Sequence, residues 1–173
     1  ITALLVTGSR GHTLIDSGTD KGAEVVLANI RALGFDPGDV KYLLMSHEHF
    51  DHVGGIARVQ AATGATIVTS AAAAKVLRSG EVDPNDPQSR SNHPPFPPAT
   101  GRIIELGVDE ARMPQGLAAR PIFTPGHTLG ALSWTWQACD DGDCKTIVYA
   151  DSLTPVSRDD YRFSDHPAYL AAY

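Results

Sequence analysis

No stretch of this sequence approaches the roughly 20 consecutive apolar residues that cross a bilayer, so no membrane-spanning helix is expected. No basic run breaks a composition of 14 Lys and Arg against 20 Asp and Glu, a net charge of -6 with histidines neutral. That balance argues against a nucleic-acid backbone as the main partner. Repeats are missing, as is low-complexity sequence beyond one proline cluster, Pro94-Pro95-Phe96-Pro97-Pro98. No initiator Met or signal peptide precedes Ile1, which opens directly into an apolar stretch. Pro167 to Tyr173 reads as the first two turns of a helix, with no Gly or basic last turn to close it. Both ends look cut, so the missing leader says nothing about compartment.

Cysteine is scarce. Cys139 and Cys144 are the two present, separated by Asp140-Asp141-Gly142-Asp143. A turn-rich spacer lets the two ends of a hairpin meet, which makes a disulfide feasible. The zinc-ligand reading is weaker, for only two thiols exist and no His lies beside them. Two unlinked surface thiols are the remaining alternative, and a bridge is preferred over them. It would imply an oxidising compartment.

What is present suits one domain. The chain has 173 residues, 42% of them hydrophobic, enough for a real core. Residues 1–7 and 11–16 read as paired strands joined by a Gly-bracketed turn. Ala23, Val26, Leu27, Ile30 and Leu33 fall at helical spacing, ended by Gly34. Lys41 to Met45 is a buried-strand pattern. A second helix around Ile56 to Ala62 is closed by Gly64, then a strand at Thr66–Thr69 and a helix from Ala71 to Arg78. Prolines from Gly80 to Gly101 cannot sustain a helix or a central strand, and predict a long surface loop. Strand patterns resume at Ile103–Leu106, Ala118–Thr124, Ala131–Gln137 and Thr146–Ala150. This order predicts a layered α/β domain.

The chemistry starts at His47, His49, Asp51 and His52, delivered to the C-terminal end of the 41–45 strand. Alternate residues of an extended chain share a face, so His47, His49 and Asp51 can project together. His52 points away unless the chain turns. Four potential ligands in six residues suit two neighbouring metals better than one, whereas a structural zinc usually draws on cysteines that this loop lacks. His127 follows another strand, in the turn Thr124-Pro125-Gly126-His127-Thr128-Leu129-Gly130, and offers a third imidazole. Asp151 closes a further strand and is open to three roles: ligand, acceptor behind a ligand histidine, or cap. Ser152 and Thr154 can donate to a substrate or cap their loop.

The series His-x-His-x-Asp-His-x-Gly-Gly, Pro-Gly-His-Thr-x-Gly and Ala-Asp-Ser-Leu resembles the metallo-β-lactamase superfamily in order and context. Within it, Ser46 to His52 and Tyr149 to Thr154 resemble the third subclass of class B β-lactamases. Leu132-Ser133-Trp134-Thr135-Trp136 and Tyr161-Arg162-Phe163 add to the resemblance, which covers essentially the whole chain. The first subclass has a cysteine ligand in the region of Ser152, so this serine argues for the third.

The resemblance implies a four-layer αββα sandwich, an α/β fold here truncated at both ends, with residues 1–173 forming one partial domain. It assigns His47, His49 and His127 to a first Zn2+, and Asp51 and His52 to a second. The family completes the second zinc from a later Pro-His-Pro segment that this chain lacks, so that site is expected to be incomplete, and the natural protein to continue past Tyr173. Ser152 and Thr154 resemble positions that contact the substrate carboxylate. His12, His93 and His166 match no ligand position. His12 and His93 are expected to be ordinary strand and loop histidines, and His166 to neighbour a helix cap.

The implied activity is opening of the β-lactam amide by a metal-bound hydroxide that Asp51 orients, with the 80–101 loop as a wall over the substrate. The implied setting is periplasmic or secreted, as a monomer, with no nucleic-acid or membrane partner. Two alternatives stand beside it. One is a superfamily hydrolase of thioesters or lactones, of the glyoxalase II type, in which a metal-bridging carboxylate stands where Asp151 does. The other is a zinc-binding remnant without catalysis.

Overall fold

Period-two alternation along the first strands divides the apolar residues between two cores. The computed structural model of the chain describes residues 2–91, 93–107 and 113–172. Its first sheet holds β1 (Leu4–Val6), β2 (His12–Ile15), β3 (Val40–Leu44), β4 (Thr66–Ser70) and β5 (Ile103–Leu106), side by side in that order. β1 and β2 form an antiparallel hairpin, and β2 to β5 run parallel. The parallel pairs need crossovers, and each of the three contains helix. These are α1 (Gly22–Ala32) between β2 and β3, α2 (Phe50–Val53) and α3 (Ile56–Thr63) between β3 and β4, and α4 (Ala71–Ser79) between β4 and β5. α4 follows β4 directly.

Leu14, Leu43 and Ile67 lie in register and face the helices, packing with Ala23 and Ile30 of α1, Ile56 and Val59 of α3, and Val76 and Leu77 of α4. Their neighbours Ile15, Leu44 and Val68 face the opposite way, onto Leu132 and Trp134 of a second sheet. Each such buried aliphatic side chain contributes roughly 1.5–3 kcal/mol. The second sheet is antiparallel, with β6 (Arg120–Phe123), β7 (Leu132–Asp140) and β8 (Asp143–Tyr149) in that order. Trp134, fully buried between the sheets, donates its indole N–H to the carbonyl of Met45 at 2.8 Å. A bond from β7 thereby fixes the point where β3 leaves its sheet. The chain is thus a mixed α/β fold with helices stacked on one of two facing sheets. β7 and β8 pair Cys139 with Cys144, and those two cysteines form the expected disulfide.

Two expectations need correction. Residues 80–101 contain no helix or strand among those described, yet they are not simply a surface loop. Phe96 and Ala99 are buried in the helix-side core, and Asp86 is 1% exposed. Backbone bonds from Phe96 to Gly80 and from Ala99 to Leu77 lay the segment along the end of α4. Gly80 permits this, with φ at +74° and a phantom Cβ only 2.1 Å from the Phe96 carbonyl oxygen. The terminal helix also runs shorter than two turns. α5 (Pro167–Leu170) is one turn after Pro at its start, and Tyr173 lies outside the described residues.

Candidate metal centre

The site forms where β2, β3 and β7 all end or begin. After Leu44 the chain leaves the sheet at Met45 and Ser46, and α2 (Phe50–Val53) starts with His49 as its extended N-cap. That helical turn brings His52 round beside His47, their ring centroids 4.0 Å apart. Here the chain turns as His52 requires to join the cluster. The loop between β6 and β7 delivers His127 from the second sheet.

Two donor sets result. His47, His49 and His127 bring one ligand atom each within 4.8 Å of one another, and so do His47, Asp51 and His52. The three imidazoles of the first set lie 4.6 to 5.0 Å apart by ring centroid. In all four histidines one ring nitrogen is occupied by a structural partner. His47 Nδ1 lies 2.7 Å from Asp151 Oδ1, His49 Nε2 3.2 Å from Asp86 Oδ2, His127 Nδ1 3.1 Å from the Thr154 carbonyl, and His52 Nδ1 2.9 Å from Asp16 Oδ2. Such partners fix the tautomer and leave the other nitrogen as a lone-pair donor, the arrangement found around metal-bound histidine. His127 Nε2 also has the Gln88 amide at 3.4 Å. Burial, reinforced by the neighbouring imidazoles of His52, His49 and His127, pushes the His47 pKa down to about 2. The ring is therefore neutral, as a ligand must be. The donor set fits a metal ion.

Asp16 organises the second set. It is buried, and its backbone sits at φ +63°, which is unusual for a residue other than glycine. Its carboxylate accepts from the Ser46 N–H at 2.7 Å, the Ser46 hydroxyl at 2.8 Å and the Tyr149 hydroxyl at 3.0 Å. Burial lowers the His52 pKa, but the hydrogen bond and charge of Asp16 outweigh it and the net direction is up. Burial pushes the Asp151 pKa up to about 7.

Asp151, open to three roles in the sequence, belongs to neither donor set and faces His47 as its acceptor. Ser152 is half-buried beside a cavity of about 300 Å³ lined by Phe123, Thr124, His127 and Leu153. Thr154 reaches the site through its carbonyl, while its side chain is exposed. His12 behaves as an ordinary strand histidine, edge-on to Phe35. His166 caps α5 and stacks on Tyr161 at 4.2 Å. His93 departs from expectation. It lies in neither donor set, but its ring stands 4.5 Å from that of His49 and 5.3 Å from Phe50, so it borders the centre. The sequence reading also missed Asp16 and Asp86. Asp16 carried a usable signal, since it ends a strand as His47, His127 and Asp151 nearly do. Asp86 carried none.

Residues 1–141 match the model of the metallo-beta-lactamase superfamily. The solved structure of metallo-beta-lactamase SMB-1 bound to 2-mercaptoethanesulfonate superposes with a TM-score of 0.91 at 48% identity, over 99% of this chain and 66% of that one. MEM-A1, a subclass B3 metallo-beta-lactamase from a soil metagenome library, gives 0.89 at 42% identity, over 98% of this chain and 65% of that one. A curated relative, the N-acyl homoserine lactonase AttM of Azorhizobium caulinodans, is 38% identical over an 81-residue alignment, with a coverage of 34% of this chain and 31% of that protein. The chain thus spans just under two thirds of these solved structures and matches about a third of this relative.

Proposed function

This chain belongs to the metallo-beta-lactamase superfamily, and from that premise we propose that it works as a zinc-dependent hydrolase opening the amide bond of β-lactam rings. One observation carries the reading. Two adjacent donor sets meet at His47, and each imidazole is held from behind by a carboxylate or a carbonyl. His47, His49 and His127 would hold the first zinc, with Asp51 and His52 directed to the second. Bound there, zinc supplies a Lewis acid and brings the pKa of a coordinated water to about 7.

The side chains do the rest. Asp51, half-buried at the start of α2, is placed to orient the attacking water and accept its proton. Ser152 lines the cavity beside His127, and Thr154 meets His127 through its carbonyl; the hydroxyls of these two residues would receive a substrate carboxylate. The proline-rich segment would supply a wall over the substrate, through Gln88 beside His127 and His93 beside His49.

A lactone reading also has support, in the similarity to AttM. The direction of Asp151 weighs against it, because one of its oxygens is turned to His47 and the residue joins neither donor set. The likeness to SMB-1 and MEM-A1, which runs over nearly the whole chain, weighs the same way. The Cys139–Cys144 disulfide supports a periplasmic or secreted setting. Among the described residues no helix is long and apolar enough to cross a membrane.

The test is a hydrolysis assay against a penicillin, a cephalosporin, a carbapenem, an acyl homoserine lactone and a thioester, with and without chelator. Chelator-sensitive opening of a β-lactam is expected. Turnover of the lactone or thioester without any β-lactam would shift the assignment to that class. Zinc uptake with no turnover at all would make the chain a non-catalytic binder.

A further inference from the structure

The first donor set draws on two loops, and nothing in the chain's connectivity fixes their spacing. His47 and His49 come from the end of β3, His127 from the entry to β7. Between His47 and His49 stands Glu48, a carboxylate only 4% exposed that takes no part in the proposed reaction. Its Oε1 accepts from the Gly130 N–H at 2.9 Å, and its Oε2 accepts from the hydroxyl of Thr128, a residue fully shut from water. Thr128 follows His127 directly, and Gly130 lies two residues further on. Gly130 is shaped for the contact, since a Cβ there would fall 2.7 Å from Glu48 Oε1 and 2.6 Å from the Ala73 nitrogen.

Burying a carboxylate is costly unless donors meet it, and apolar packing would fill the same space without that cost. What two directional bonds add is a fixed distance, which apolar contact leaves free. We infer that Glu48 is a positioning residue that clamps the 124–130 loop to the 46–52 loop and so sets how closely His127 approaches His47 and His49. The inference rests on the metal-centre reading above.

Zinc titration of the chain against a chromophoric chelator tests it, with the melting midpoint of each metal-free protein measured alongside. Glu48→Gln keeps the shape, offering its amide oxygen to Gly130 and its amide N–H to the Thr128 oxygen. Glu48→Met fills the volume without either bond. The first zinc should bind about 10–100-fold more weakly to Glu48→Met, the usual effect of losing a partner behind the ligands. Glu48→Gln should stay near the native affinity, and the weaker zinc step should be unchanged in both. A folded Glu48→Met protein with native first-site affinity overturns the clamp, and so does Glu48→Gln weakened as much as Glu48→Met. Should Glu48→Met fail to fold, Thr128→Val decides, because it deletes one hydroxyl: weakened first-site binding supports the clamp, and native binding overturns it. A native chain that takes up no zinc overturns the metal-centre reading itself, and the clamp with it.

Discussion

His47 Nδ1 lies 2.7 Å from Asp151 Oδ1, and both side chains are closed to water. The contact spans 104 positions of sequence and joins the end of β3 to the end of β8. It gives His47 one free nitrogen, and it removes one oxygen of Asp151 from any role as a ligand. Among the described residues the other oxygen, Oδ2, is buried without a hydrogen-bond partner.

Asp151→Asn should therefore be mild, because the amide oxygen still accepts from His47. Asp151→Leu should loosen the first zinc by about 10–100-fold, as removal of such a partner does elsewhere. Zinc affinity of the two variants, measured side by side, checks this. If Asn and Leu prove equally damaging, Asp151 acts through its charge or as a ligand, and the orienting role is wrong.

Asp51→Asn should lower kcat far more than it lowers stability. Asp51 is partly exposed, and its nearest ionic neighbour is His52 Nε2 at 3.7 Å, too far for a hydrogen bond. A neutral amide in its place should cost about 0.5 kcal/mol of stability or less. Loss of a positioned proton acceptor typically costs on the order of 10²–10⁴-fold in rate. Steady-state kinetics on a β-lactam, paired with the thermal midpoint, separates the two effects. Unchanged kcat in a zinc-loaded variant would refute the role.

How far the site could be read in advance follows from which contacts build it. His47, His49 and His127 were legible because each leaves a strand in a short turn, and strand periodicity survives in sequence. His52 was ambiguous, since its direction depends on α2 beginning at Phe50, a matter of one helical turn. Asp86 and His93 were illegible for a different reason. Their segment has no periodicity, and its path is set by groups distant in sequence. Arg158 N–H donates to the Pro87 carbonyl, the Tyr161 hydroxyl to the Asn85 carbonyl, and the Tyr169 hydroxyl to Asp86 Oδ2. Prolines exclude regular structure there but do not say where the irregular chain lies. The strands were easier, because short apolar runs mark them, while the stacking of two sheets was implied by the family resemblance. In the fold, alternation sends Leu14, Leu43 and Ile67 to one side and Ile15, Leu44 and Val68 to the other.

Reducing the Cys139–Cys144 bridge should lower stability and leave activity intact. The pair lies five register positions along the ladder from Trp134↔Tyr149, roughly 17 Å at about 3.4 Å per residue. Closing so short a loop contributes about 2 kcal/mol by the chain-entropy argument. For a chain of this size that is a fall of roughly 4–8 °C in thermal midpoint. Melting curves with and without reductant measure it. Two thiols titrating in the unreduced, unfolded protein would exclude the bridge.

Chelation should strip the metals in two separable steps. Both donor sets contain His47, yet its Nδ1 is held by Asp151 and only Nε2 remains to bind. One imidazole nitrogen cannot serve both ions, and the first set is the one in which His49 and His127 complete three nitrogens. Within this chain the second ion is then left with Asp51 and His52, and water must fill its remaining positions. Three preorganised imidazoles against two ligands should separate the affinities by at least about tenfold, a difference of about 1.4 kcal/mol. A competing chromophoric chelator, titrated while released zinc is counted, resolves the steps. His52→Ala should then abolish the weaker step alone, and His127→Ala should weaken the tighter one. Two zincs of equal affinity, both lost together when either histidine is replaced, would mean that the sets act as one shared site and that His47 is not committed as its bond to Asp151 indicates.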